Sequence, residues 1–599
     1  MKKLRTKIIF WFTVIVLFLL FVLTRTLGPR IIDGLYQEGA IELLNRLSGV
    51  RDEQSLDYYL GRMEDVLLGP LGVTFGAMAF ILFSLRYLSQ ASMRVFGLAV
   101  FVYLLITKWE VLFFPPYGDA IGGPFAEAIW LARNSFDYVG LSHQPGYIQG
   151  GPKVYLFSLY PTFLAVLIKL IPAVPVFLVV NHLIVFSLAA GTLALFRSLL
   201  LKIFDPVVAL LTSILFLSLP LFQSQAEAIN MEMFCVFFAI LSVYHLANRQ
   251  FHWAGLTAVV SAFIKDYGTI SCVVVFLLSL TARRTRHRND PKNATILCWG
   301  LFALGGAILK IYLSFLVTYF HTPANVTHFF SGWKSLKQGF TLWLYISSMA
   351  ILGGQFVRRR LTQSKSGTVA ESQSVVVSSM LITAGLWFLF FLNFFAVSPR
   401  YSLFLYPFLI FCVIFALTSV IKVRGVLEGG LIAGSLFSFL CSYGLVYKPI
   451  GNSNYVVLER SLEYRNDLKL NQRVVRELEE KFTRWTIGAP FLLAQMLKFK
   501  ELGYVHRDLD VMIYGHNCTY GDMKTFLGLK DIDVKRTLWV AQESPLPKEI
   551  VYPIDERDKI VKQMEWGNKK VTLFLGGVAI ERMRIGFNIL QRQQKLLPK

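Results

Sequence analysis

Charge is what this sequence most conspicuously lacks. Only 16% of its 599 residues are Asp, Glu, Lys or Arg, against about a quarter in ordinary soluble domains, while 55% are hydrophobic. With a mean hydropathy of +0.53, a water-soluble globular fold is excluded and a membrane class follows. Acid is scarcer than base: 38 Asp and Glu face 60 Lys and Arg, a formal net charge of +22. That excess would suit nucleic acid if the bases formed a stripe. They fall instead in short clusters between apolar runs, as in Arg283-Arg284-Thr285-Arg286-His287-Arg288 and Arg358-Arg359-Arg360. Such clusters are topology determinants, so no nucleic-acid partner is expected.

Cysteine is equally sparse. Five of the six, Cys235, Cys272, Cys298, Cys412 and Cys441, lie within apolar runs, and Cys518 stands in a polar stretch. Neither a disulfide framework nor a CxxC metal site can be built from them. No metal-ligand cluster is clear elsewhere, which leaves a divalent cation open as a cofactor. A small-residue cleavage site is also missing after the apolar run Ile8 to Leu23, where Thr24-Arg25-Thr26-Leu27 follows. A retained first helix is the expectation.

Apolar runs of spanning length, about 20 residues, are what the chain has in abundance. They lie near 7–24, 66–86, 95–114, 176–197, 206–222, 231–247, 252–264, 267–281, 296–320, 339–357, 375–396, 402–421 and 427–446. With the N-terminus inside, the basic positions Arg86, Arg94, Arg197, Lys202, Arg249, the cluster at 283 to 288, Arg358 to Arg360, Lys422 and Arg424 all fall on the cytoplasmic side. The outward loops are then 25–65, Pro115 to Ala173, Gln223 to Asn230, His321 to Gln338 and Ser398-Pro399-Arg400, followed by the tail from Tyr447. Val154 to Ile171, interrupted by Pro161, Lys169 and Pro172, would invert this order if it spanned, so it reads as a juxtamembrane or re-entrant helix. The tail changes character, with an amphipathic helix near Glu459 to Thr483 and strand-like runs at 510–514 and 571–575.

The expected architecture is a polytopic α-helical membrane protein of about 13 transmembrane helices with a C-terminal extracytoplasmic α/β domain. Its divisions are N-terminal helices over 1–94, a transmembrane core over 95–446 with an outer loop at 115–173, and the domain over 447–599.

The outer loop opens with Pro115-Pro116-Tyr117-Gly118-Asp119-Ala120-Ile121-Gly122-Gly123, a carboxylate directly after a span. An acid there can act as a general base toward an acceptor hydroxyl, or bind the acceptor or a metal; the plain alternative is a turn aspartate. The same loop carries Asp137, His143 and Lys153. Lys153 at the start of the re-entrant helix can neutralise a lipid phosphate or simply snorkel, and a lone histidine such as His143 usually does neither acid/base work nor metal binding. Other outward membrane ends present Glu227 and Glu232, Lys265-Asp266, and Arg400-Tyr401. Ionisable groups at such depth tend to be functional, and Arg400 can grip phosphate through two bonds where Lys265 offers a point charge. Interfacial anchoring is the bland reading of each. His506-Arg507-Asp508-Leu509 matches a kinase catalytic loop only in its opening residues, with no Gly-rich loop or Asp-Phe-Gly to accompany it. Asn325-Val326-Thr327 and Asn517-Cys518-Thr519 are formal glycosylation sequons, a three-residue pattern frequent by chance.

Taken in order and sidedness, these features resemble the C-type superfamily of polyprenyl-phosphate-sugar-dependent glycosyltransferases, which includes the protein O-mannosyltransferases and the lipid A aminoarabinose transferase. The resemblance is carried over residues 95 to 510 by Gln225-Ala226-Glu227-Ala228-Ile229-Asn230-Met231-Glu232, His252-Trp253-Ala254-Gly255-Leu256, Phe263-Ile264-Lys265, Ser398-Pro399-Arg400-Tyr401-Ser402-Leu403 and Glu501-Leu502-Gly503-Tyr504-Val505. Two spans extra to the pattern precede the outer loop, and Gly118-Asp119 stands where many relatives have Asp-Glu or Asp-Asp. The resemblance implies a GT-C-like fold and an inverting transfer from a polyprenyl-phosphate sugar to a hydroxyl of a glycan, lipid or protein, in a bacterial inner membrane. It implies Asp119 as base, Lys153, Lys265, Arg400 and Tyr401 on the donor phosphate, and Asp137, His143, Glu227, Glu232 and Asp266 on substrate. A transporter or flippase would call for inverted repeats and broken midplane helices, and no repeat is evident. A polymerase or ligase using a diphosphate donor would call for a late outer loop rich in Arg and His; the loop here is early and acidic.

Overall fold

In the computed structural model the described residues are 2–27, 63–118, 120–142, 158–285, 292–321, 375–386, 399–421, 423–443, 461–462, 464–513, 537–543, 556–566 and 569–576, with the isolated positions 30, 34 and 60. Apolar helices dominate. Among the described residues, five are long and apolar enough to cross a membrane: Ile8–Thr26, Val66–Tyr87, Val174–Leu200, Ala294–Leu313 and Arg424–Tyr443. Shorter apolar helices pack among them, including Met93–Thr107, Pro206–Ser218, Met231–Ala247, Phe251–Ile264 and Tyr406–Val420. Large apolar side chains such as Phe12, Leu98, Leu170, Val420 and Phe437 point outward, exposed. In water such a surface would aggregate, whereas against lipid tails it needs no cover. The chain is an integral membrane protein with a helical core.

Each apolar run of the sequence that lies in the described residues contains helix, but several are cut by local chemistry. The run at 206–222 breaks at Leu219, whose extended ψ of 132° precedes Pro220 and starts a separate short helix, Pro220–Gln225. Proline excludes helical geometry from the residue before it and opens a new first turn without needing its own N–H. The run at 95–114 ends its α-helix at Thr107 and continues as a 3-10 turn, Trp109–Phe113. The juxtamembrane helix begins at Leu159, close enough to Pro161 that the ring sits in the first turn, where it is tolerated. The span near 339–357 lies outside the described residues.

Between Phe251–Ile264 and the next helix, Thr269–Thr285, the chain turns through a 3-10 element at Asp266–Gly268. A Cβ on Gly268 would come within 2.2 Å of the Ser261 carbonyl oxygen, so the turn closes only on glycine. Gly268→Ala is therefore expected to lower stability by about 1–3 kcal/mol, the usual range for overpacking, read as a reduced thermal midpoint in detergent. An unchanged midpoint would show that the turn can open.

Toward the C-terminal end the amphipathic segment forms the helix Tyr464–Lys481. A five-stranded sheet follows: β1 (Thr486–Ala489), β2 (Val511–Ile513), β3 (Thr537–Glu543), β4 (Lys559–Trp566) and β5 (Lys569–Leu575), in the order β2-β1-β3-β5-β4. β1 is parallel to both neighbours, with Ile487 opposite Val511 and Leu538. β5 is antiparallel to both of its own, with Leu573 opposite Val540. The helix Phe491–Lys498 lies in the connection from β1 to β2, as parallel pairing requires a crossover. Trp566 at the end of β4 donates its indole N–H to Asn466 Oδ1 at 2.8 Å, and the Arg473 guanidinium lies 4.4 Å from the Trp566 ring centroid. These contacts tie the sheet to the Tyr464–Lys481 helix.

Candidate functional site

Ile229, Asn230 and Met231 lead into the Met231–Ala247 helix, and the residues at this helix start separate two charged clusters. Asn230 is its N-cap, with Oδ1 accepting the Met231 N–H at 2.8 Å. Glu232 occupies the first turn, where the helix dipole favours a negative charge. It is fully buried, and a buried carboxylate must be paired.

Its partners come from distant parts of the chain. Lys265, at the broken end of Phe251–Ile264, donates from Nζ to Glu232 Oε1. Arg400, in the 3-10 turn Pro399–Phe404, places Nε 3.2 Å from the same oxygen. Lys265 Nζ also lies 4.2 Å from the centroid of the Tyr401 ring, and Arg400 Nη2 donates to the Tyr401 hydroxyl at 3.4 Å. Two cations, one carboxylate and a phenol are thus gathered where a helix stops, and cations in such a poorly hydrated setting suit an anion. Ser158, just before the juxtamembrane helix, donates its hydroxyl to the Ile264 carbonyl at 3.0 Å, so that helix starts beside the cluster. Asp266 faces the other way, with Oδ1 3.2 Å from Lys310 Nζ.

Glu227 anchors the second cluster. Its carboxylate accepts from Lys108 Nζ at 2.6 Å, from Arg465 Nε and Nη2 at 2.9 and 2.8 Å, and from the Tyr464 hydroxyl at 2.8 Å. Arg465 reaches Glu110 as well, at 2.5 Å, and Glu110 lies 3.4 Å from Arg25. Burial pushes the Glu227 carboxyl up, but Arg465 and Lys108 outweigh it and hold it well below the usual carboxylate range. The stabilisation from the held-down carboxylate is present above the ordinary carboxylate range and is lost as pH falls below it. A cleft of about 20 Å³, the size of a single water site, is lined by Phe114, Pro115, Tyr117, Glu227, Asn230 and Tyr464.

Of the residues singled out in the sequence, Glu232, Lys265, Arg400 and Tyr401 meet in the first cluster. Glu227 belongs to the second, and Asp266 pairs with Lys310. Asp137 accepts the Gly140 N–H at 2.8 Å in the turn that starts the short helix Tyr138–Ser142. Asp119, His143 and Lys153 lie outside the described residues. Gly118, next to Asp119, has φ of +62°, a left-handed conformation that glycine adopts without cost. Lys108, Glu110 and Arg465 were not anticipated. The available signal was charge at the end of an apolar run, where Lys108 and Glu110 stand. Among the described residues no group of three or more His, Cys, Asp or Glu side chains is placed to hold a metal ion.

No family model matches the chain, and no curated protein matches it. Among solved structures it is similar to the crystal structure of ArnT from Cupriavidus metallidurans bound to undecaprenyl phosphate. That similarity has a TM-score of 0.43 at 12% identity and covers 80% of this chain and 97% of that one.

Proposed function

We propose that the protein is a membrane glycosyltransferase that moves a sugar from a polyprenyl-phosphate donor to an acceptor hydroxyl at the extracytoplasmic face, with inversion. The observation that carries this reading is the convergence of Lys265 and Arg400 on buried Glu232, with Tyr401 against both cations. Three side chains that the sequence nominates for a phosphate occupy one place at the end of a broken helix, beside the start of the juxtamembrane helix. Lys153 stands a few residues upstream of Ser158 in the chain and would join them.

The lipid phosphate is the leaving group. Lys265, Arg400 and Lys153 offset the negative charge that grows on it as the glycosidic bond breaks, and the Tyr401 hydroxyl orients Arg400. Asp119 takes the acceptor proton while the acceptor oxygen attacks the anomeric carbon from the opposite face. Asp137, His143, Glu227, Glu232 and Asp266 serve substrate binding or the fixing of these groups. The chain divides at 94 and 446 into N-terminal helices, a catalytic transmembrane core and an extracytoplasmic α/β domain. The N-terminus is cytoplasmic, in a bacterial inner membrane.

The test is transfer of label from polyprenyl-phosphate sugars to membrane acceptors by the purified protein in lipid. Arg400→Leu is expected to reduce transfer by about 100-fold or more, the usual cost of removing one preorganised donor from developing charge. Arg400→Lys should recover only part, because an ammonium cannot reproduce the guanidinium geometry. No transfer by the wild type from any such donor would overturn the reading.

A further inference from the structure

The opening of the outer loop is a poor structure on its own. Residues 114–117 form neither helix nor strand, and Pro115 and Pro116 contribute no N–H to any ladder. The turn nevertheless carries Gly118 and leads directly to Asp119. His182 Nε2 lies 2.9 Å from the Phe114 carbonyl oxygen, and further holders come from much later in the chain. The Tyr117 hydroxyl donates to Asp467 Oδ2 at 2.7 Å, and the Tyr504 hydroxyl donates to the Pro116 carbonyl at 2.9 Å. Tyr504 is buried, and Tyr117 packs against Tyr464 with ring centroids 5.5 Å apart. Further along the loop Arg133 forks onto Glu501, with Nε and Nη2 at 2.8 and 2.7 Å, and reaches Asp508 at 2.9 Å.

We propose that Asp467 and Tyr504 are positioning residues, a clamp by which the segment from Tyr464 to Asp508 holds the start of the outer loop for catalysis. The inference rests on the functional reading above for the word catalysis, and on geometry for the clamp. The buried Glu227 network fixes the base of the clamping helix, because Tyr464 and Arg465 are both bound there. Asp467 is thereby presented from a rigid first turn toward Tyr117. Tyr504 approaches the same two-proline stretch from the far end of the same segment, following the left-handed turn at Gly503. A proline pair with no ladder partners depends on such side-chain bonds for a single position, and a small misplacement of a reacting group is costly to rate.

The experiment uses the full chain in lipid nanodiscs and compares the wild type with Tyr117→Phe/Tyr504→Phe, which deletes both donors and keeps both rings. Hydrogen exchange, which needs no substrate, should speed on the order of tenfold in peptides covering 114–133, with peptides of Met231–Ala247 unchanged. In the transfer assay kcat should fall while KM for the lipid donor is little changed, since Lys265 and Arg400 are untouched. Asp467→Asn keeps an acceptor for Tyr117 and should retain loop protection that Asp467→Leu loses. Unaltered exchange in the double variant overturns the clamp, whatever the wild type transfers. Faster exchange with undiminished kcat overturns the positioning role. Faster exchange in a protein that transfers from no donor upholds the clamp and overturns the functional reading instead.

Discussion

Purified protein carrying Asp119→Asn is expected to transfer sugar about 10²- to 10⁴-fold more slowly than the wild type, the contribution that a positioned general base ordinarily makes. The amide matches the carboxylate in size and cannot accept a proton, so the donor should bind as before. The loss would fall on kcat alone, because the acceptor oxygen must then attack without surrendering its proton to a neighbouring base. Gly118 beside it, at φ of +62°, provides a turn that an isosteric change should leave intact. The check is single-turnover transfer beside a direct measurement of donor binding. Full activity in the variant would remove Asp119 from the chemistry and shift attention to the other acids of the loop, Glu127 and Asp137.

The second large effect is structural. Arg465→Leu should destabilise the protein by about 3–5 kcal/mol, the cost of stripping a partner from a buried pair. Arg465 is 1% exposed and Glu227 is 0% exposed, so no water can replace the guanidinium without opening the interface. Two charge-assisted bonds to Glu227 and one to Glu110 vanish together, leaving Lys108 and the Tyr464 hydroxyl to face the carboxylate. In detergent the thermal midpoint should drop by about 2–4 °C, as the entropy of unfolding a chain of 599 residues implies. The double variant Arg465→Leu/Glu227→Gln should lose less than the sum of the two single changes, because much of each penalty is the stranded charge. Strict additivity, or an unmoved midpoint, would mean that the network contributes nothing to docking.

Much of the helical core was legible because a membrane imposes one requirement that sequence displays openly, namely runs of apolar residues as long as the hydrocarbon is thick. Met231–Ala247 and Phe251–Ile264 coincide with the runs that announce them. Departures occur where a single residue changes the backbone, as Pro220 does within the run at 206–222. The strands Val511–Ile513 and Lys569–Leu575 were legible from their β-rich composition, whereas the order β2-β1-β3-β5-β4 depends on pairings between distant segments that no local pattern records.

The candidate site divides in the same way. Glu232, Lys265 and Arg400 were each visible as ionisable groups at helix ends, but nothing local says that one carboxylate gathers both cations. Arg465 was hidden for a different reason. At the start of a charged amphipathic helix it reads as one more solvent-facing base, and only the buried Glu227 shows otherwise. Asp467 carries no signal of its own, and Tyr504 stood out only as part of Glu501-Leu502-Gly503-Tyr504-Val505, since a tyrosine hydroxyl finding a carbonyl 388 residues away is a property of the folded chain.

That separation also sets a timetable for biosynthesis. Tyr117 and Asp467 are 350 residues apart, and at roughly 5–20 residues per second a ribosome needs roughly 20–70 s to travel from one codon to the other. Lys108 and Glu110 wait about as long in a half-built protein without Arg465, Glu227 waits for the 238 residues that separate it from Arg465, and the outer loop has none of its later holders. A message truncated before codon 464 would yield every helix up to Arg424–Leu440 and still leave the loop unfastened. Competence would therefore arrive late and all at once, as the segment from Tyr464 to Asp508 emerges.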